Sequence, residues 1–129
     1  MKATTVSVSI DRAPADVYAF AANPENLPRW AAGLCLSVRR ADREWIVETP
    51  QGPMGFRFAP SNDLGVLDHY VSPSPGVEFL NPMRVVPNGA GSEVLFTVFQ
   101  PPDASDEAFA QDVRLVARDL GTLKRLLEG

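Results

Sequence analysis

The chain has 129 residues, a formal charge of −4, one cysteine and one histidine. A chain of this size buries roughly two-thirds of its unfolded surface, so residues 1–129 are expected to fold as one domain without a disulfide or metal staple. The acidic balance, with no basic run beyond Arg39-Arg40, argues against nucleic-acid binding and against electrostatic attachment to an anionic membrane, since both need clustered Lys and Arg.

No apolar stretch approaches the ~20 residues of a membrane helix. The N-terminus alternates Thr, Ser and Val where a signal peptide would be continuously apolar. Cys35 is the only cysteine, which fits a reducing compartment. The expectation is a cytoplasmic protein with no membrane insertion.

Residues 3–10 alternate, with Val6, Val8 and Ile10 on one face and Ser7 and Ser9 on the other, as a half-buried strand does. Pro14 suits the first turn of a helix, where its missing N–H costs nothing, and Val17, Phe20 and Ala21 recur at helical spacing. Asn23-Pro24 ends this helix and can cap a second, short one running towards Trp30 and Leu34, its regularity limited by Pro28.

From residue 34 to 100 strands alternate with turns. Leu36 and Val38 alternate with polar neighbours, and Ala41-Asp42 reads as a turn. Trp45, Val47 and Thr49 form one face of the next strand, Pro50 to Pro53 a turn, and Met54, Phe56 and Phe58 one face of a third strand. After Ser61-Asn62-Asp63 come the strand GVLDHYV at 65–71, the turn 72–76, a strand from Val77 to Val86, a hairpin signal at Pro87-Asn88-Gly89 and a last strand from Glu93 to Gln100. Turns this close together mean an antiparallel meander.

The C-terminus is the clearest helix. Ser105 can cap it, Asp106 and Glu107 favour its positive end, and Phe109, Val113, Val116, Leu120, Leu123 and Leu127 form one apolar stripe. The fold class is α+β, and the final helix is the expected cover for the sheet.

The opening strand followed by IDRAPADVYAF and NPENLPRW, and the ending GSEVLFTVFQPPDASDEAFAQDVRLVARDLGTLKRLLE, resemble the START-like (SRPBCC) superfamily, which includes polyketide cyclase/dehydrase-like proteins. The resemblance runs the whole length in order. It implies the helix-grip fold, a curved antiparallel sheet wrapped around a long C-terminal helix with two short helices after the first strand. It also implies a cavity between sheet and helix for a small apolar or amphipathic molecule, lipid- or polyketide-like. No catalytic motif transfers with it, and one fold hosts many functions.

The candidate site residues come from the sequence itself. His69 and Asp68 are the candidate acid/base groups, and Arg84 is a candidate anchor for a ligand carboxylate or enolate oxygen, or else an ion-pair partner of Glu78 or Glu93. Tyr70, Trp30, Trp45, Phe56, Phe58, Met83 and Phe109 are candidate ligand-binding surface, with core packing the alternative for each. Alternation in a strand separates Asp68 and Tyr70 from Leu67, His69 and Val71. If residues 73–76 close a tight hairpin, His69 lies opposite Leu80 with Arg84 further along, and Asp68 and Tyr70 share their face with Phe79, Asn81 and Met83; either face could line a cavity.

One His and one Cys cannot make a thiolate–imidazole metal site, and no acidic cluster has loop spacing for a hard cation. No metal and no cofactor are expected. Cys35 could be a nucleophile with His69 as its base, but nothing in the sequence brings them together and a buried, inert thiol is the simpler reading. Three functions fit: a binding protein, a cyclase- or dehydratase-like enzyme, and a protein-interaction module with a filled core and an exposed apolar patch. The oligomeric state is open between monomer and dimer.

Overall fold

The computed structural model describes residues 1–33 and 35–129. Strand β1 (Ala3–Ile10) leads into α1 (Pro14–Ala21), with Pro14 in its first turn. Asn23 accepts a hydrogen bond from the Glu25 amide and starts a 3-10 turn, Pro24–Asn26, which runs into α2 (Leu27–Trp30). Helix α2 is a single turn, and Pro28 sits at its start, where a missing N–H costs nothing. Leu34, expected near its end, lies outside the described residues.

The strands that follow are β2 (Ser37–Ala41), β3 (Glu44–Thr49), β4 (Gly52–Phe58), β5 (His69–Ser74), β6 (Val77–Asn81), β7 (Met83–Asn88) and β8 (Gly91–Phe99). They form a three-stranded ladder, β1-β8-β7, and a five-stranded ladder, β2-β3-β4-β5-β6. Every pairing is antiparallel.

Proline and glycine explain where this differs from the sequence reading. The strand expected from Val77 to Val86 breaks at Pro82, which has no N–H to donate. Its first half pairs with β5 and its second with β8. The GVLDHYV run likewise changes partner part-way. Residues 65–67 bond to β7, through Leu67 N–H to Met83 O and Val85 N–H to Gly65 O, both at 2.9 Å, whereas His69 onward pairs with β4 and β6. This segment joins the two ladders.

The turn at 72–76 is shorter than expected, because β5 runs on to Ser74 and only Pro75-Gly76 turns, with Gly76 at φ +80°. The extra length is absorbed by an irregularity between Val71 and Ser74, where Ser72 Oγ donates to Ser74 O and Val77 O. His69 therefore lies opposite Asn81, not Leu80, and Val71 opposite Phe79. A one-residue slip moves every partner side chain to the other face. Phe79, Asn81 and Met83 thus side with His69, and Arg84 sides with Asp68, the reverse of the expected sets.

Helix α3 (Asp106–Glu128) is capped by Ser105 Oγ, which accepts from the Ala108 amide at 3.0 Å. Its closest backbone approaches are to β1, β8 and α2. Phe109, Leu120, Leu123 and Leu127 are buried, while Val113 and Val116 in its N-terminal half remain partly exposed. The core joins Leu120, Leu123 and Leu127 of this stripe to Ile10, Val17, Trp30, Val47, Phe56, Met83 and Val94. One sheet face is thereby fixed as the inner one, the face that carries Val47, Phe56, His69, Val71, Met83 and Val94. Among the described residues no helix is long and apolar enough to cross a membrane.

Candidate functional site

His69 sits on the inner face, 5% exposed, in a box of aromatic rings. Phe56 stacks on it with centroids 5.2 Å apart, and Phe58 and Phe96 meet it edge-on at 5.6 and 5.3 Å. Burial outweighs its favourable contacts and lowers its pKa to about 4. The ring is therefore neutral at pH 7. Its Nδ1 lies 3.0 Å from the Leu67 carbonyl oxygen. A carbonyl only accepts, so Nδ1 carries the proton and Nε2 is left as the acceptor.

Asp68 points to the opposite face. Its Oδ1 accepts from Arg84 Nη1 at 2.6 Å and from the Met83 amide at 2.9 Å. Arg84 is thus paired with Asp68, while Glu78 bonds Arg57 and Glu93 bonds Asn88 and Ser9. Tyr70 shares the outer face, its ring 4.0 Å from the Arg57 guanidinium carbon. The row Asp68-His69-Tyr70 splits into one inner residue and two outer ones. Among the described residues no carboxylate bonds the imidazole, and Asp68 reaches it only through the weakest of the effects on its pKa.

The remaining candidates divide by depth. Trp30, Phe56, Met83 and Phe109 are buried. Trp30 Nε1 has no hydrogen-bond partner among the described residues. Phe109 lies on the β1 side, with Lys2 Nζ 6.0 Å from its ring centroid. Phe58 and Trp45 stay half-buried. Cys35 is buried, and burial pushes its thiol up to about 11, so it is protonated at neutral pH and a poor nucleophile.

Trp45 belongs to an open groove of about 510 Å³ between β2, β3 and the helical segment before them. Pro28, Leu36, Val38 and Trp45 supply its apolar surface, and Glu25, Ser37, Arg39 and Arg40 its polar groups. The groove is continuous with the inner face. Cross-strand pairing sets Arg40 beside Trp45, Trp45 beside Phe56, and Phe56 beside Val71, and such neighbours stand about 5 Å apart. An apolar row thus runs from the open groove to the His69 box.

Two residues of interest were missed from sequence. Arg40 has its guanidinium carbon 5.4 Å from the Trp45 ring centroid. Closing Ala41 onto Glu44 with a two-residue turn would have placed it there. Asp119 is buried at the edge of the α3 stripe, and desolvation raises its pKa to about 6 against the weaker opposing effects of the Gly33 amide and Arg118. Its signal was its spacing, three residues after Val116 and four before Leu123.

A first strand, two short helices, an antiparallel meander and a long final helix lying on the sheet define the START-like helix-grip fold that the sequence resemblance implied. Solved structures share it along this chain's length. XoxI from Bacillus cereus superposes with a TM-score of 0.78 at 23% identity, over 98% of this chain and 96% of that one. The Aha1 dimer from Colwellia psychrerythraea gives 0.76 at 16% identity, over 99% and 97%. DynU16, a protein of the dynemicin biosynthetic locus, gives 0.73 at 16%, over 99% of this chain and 48% of that one. No protein-family model matches the chain, and no curated protein does. Likeness at these identities carries the fold and not the activity.

Proposed function

We propose that the protein binds a small apolar or amphipathic molecule at the groove beside Trp45, against the inner face of the sheet. One observation carries this reading. Trp45 is kept half-buried at the groove's surface, while its cross-strand neighbour Phe56 is sealed in the core. Half-covered aromatic surface in a concave site is what a small apolar ligand covers. Where α3 comes closest to the sheet, the space is filled by Ile10, Val94, Leu120 and Leu123, which leaves the open groove as the place for a ligand.

The test uses the neutral dye Nile red with the purified full chain. Saturable one-to-one binding with enhanced emission is expected. Leu36→Asp, at a side chain 60% exposed, should weaken it about tenfold by placing a charge on apolar surface. Trp45→Ala should do the same. Absence of saturable binding, or equal binding by both variants, would remove the reading.

A second reading, an interaction module, is favoured by the edge strand β6. Its Val77, Phe79 and Leu80 are 41%, 47% and 41% exposed, and an edge strand offers unpaired backbone groups. A second copy of the chain is a partner of fitting chemistry, because antiparallel pairing centred on Phe79 sets Glu78 against Leu80 and opposes no two carboxylates. Sedimentation velocity at high micromolar concentration should show a dimer that Phe79→Lys dissociates; a monomeric wild-type protein rules it out.

A further inference from the structure

The groove holds a guanidinium with no acidic partner among the described residues, and we infer that its ligand is an amphipathic acid whose carboxylate binds Arg40 while its apolar body lies on Trp45. This rests on the ligand-binding reading above and narrows it to a chemical class.

The other arginines carried by strands are already engaged. Arg39 reaches Glu48 at 3.4 Å, Arg57 reaches Glu78 at 3.2 Å and Arg84 reaches Asp68 at 2.6 Å. Among the described residues Arg40 has no carboxylate and no hydrogen-bond acceptor; its one contact of note is the Trp45 ring at 5.4 Å. A guanidinium over an aromatic face keeps its N–H edge free, and that planar fork matches a carboxylate with two parallel hydrogen bonds.

The apolar groups lie in the same groove. Pro28, Leu36 and Val38 line it with Trp45, and Leu36 is the most exposed of them. The volume of about 510 Å³ is in the range of small-molecule sites. An apolar surface beside a free cation fits a molecule with an apolar body and one anionic head. Glu25 also lines the groove, from the 3-10 turn, and has no cationic partner among the described residues. It opposes an anion, and that opposition gives the inference a second handle.

The experiment displaces bound Nile red with sodium dodecanoate or with 1-dodecanol, which share a chain and differ in the charged head. Dodecanoate should bind about tenfold more tightly than dodecanol to the wild-type protein, the gain of a charge-assisted hydrogen-bonded pair. Arg40→Met, at an exposed position, should abolish that preference, read as the ratio of the dodecanoate and dodecanol affinities within the same variant. Arg39→Met should change it by less, because Arg39 is already paired. Glu25→Gln should raise it about twofold to threefold by removing a like charge. Equal affinity for the two compounds, or a preference that survives Arg40→Met, would overturn the acid while leaving the groove reading in place. Loss of saturable Nile red binding by the wild-type protein would remove both.

Discussion

Asp68 accepts from two donors at once, the Arg84 guanidinium and the Met83 amide, and this decides what it can do. Its Oδ1 holds the start of β7 against the GVLDHYV segment, which makes Asp68 a structural acceptor. Asp68→Ala leaves a backbone amide and a guanidinium without their partner. With Asp68 mostly covered and Arg84 half-exposed, a loss of about 1–2 kcal/mol is expected. Arg84→Met should cost less, about 0.5 kcal/mol, because the amide bond survives. Urea unfolding of the two variants checks the order; an equal cost would mean that the ion pair, and not the amide bond, carries the effect. The same geometry leaves Arg84 occupied by Asp68, which is why the proposed anchor is Arg40 and not Arg84.

At the scale of elements, the join between the two ladders depends on Gly65. It has φ +74°, and a Cβ there would sit on the Val85 carbonyl oxygen of β7. Gly76 has a similar φ of +80° but open space around it. Gly76→Ala should cost about 1 kcal/mol from backbone strain alone, and Gly65→Ala about 2–4 kcal/mol, because the chain must also move off β7. Similar costs in denaturant unfolding would show that the close approach is unimportant. This join also marks the limit of what could be read from sequence. The strand–helix–meander–helix order, the Ser105 cap and the α3 stripe were legible because they rest on local periodicity and local hydrogen bonds. The inner and outer faces of β6 and β7 were not. They depend on the irregularity before Ser74 and the break at Pro82, and a slip of one residue exchanges Phe79 and Met83 with Arg84. Of the candidate site, Trp45 was found as an aromatic on an alternating strand. Arg40 was overlooked because its value comes from the company of Trp45 across a turn.

For the molecule as a whole, two buried titratable groups make opposite contributions to stability in acid. His69 has its pKa lowered from 6.5 to about 4. Above pH 6.5 it is neutral whether folded or not; as pH falls towards 4 the unfolded chain takes up a proton that the aromatic box refuses, and stability is lost. Asp119 has its pKa raised from 3.8 to about 6. Its ionised form burdens the folded state above pH 6, and protonation between pH 6 and 4 removes that burden, so stability is gained. Between pH 7.5 and 4.5 the first effect is about 2–3 kcal/mol of loss and the second about 2 kcal/mol of gain. The wild-type stability should therefore be nearly flat across this range, with acid unfolding setting in lower, where Glu93, Asp106 and Glu128, all with lowered pKa values, gain protons. Single replacements separate the two. His69→Phe should become more stable on acidification from pH 7.5 to 4.5, and Asp119→Asn should become less stable over the same interval. Asp119→Asn should also exceed the wild type in stability at pH 7.5, since the amide carries no charge to bury. Free energies from urea unfolding at the two pH values measure all three quantities, and the slopes are independent of any packing cost at either site. A wild-type protein that loses about 2–3 kcal/mol by pH 4.5, together with an Asp119→Asn variant that loses the same amount, would mean that Asp119 ionises as freely in the fold as outside it.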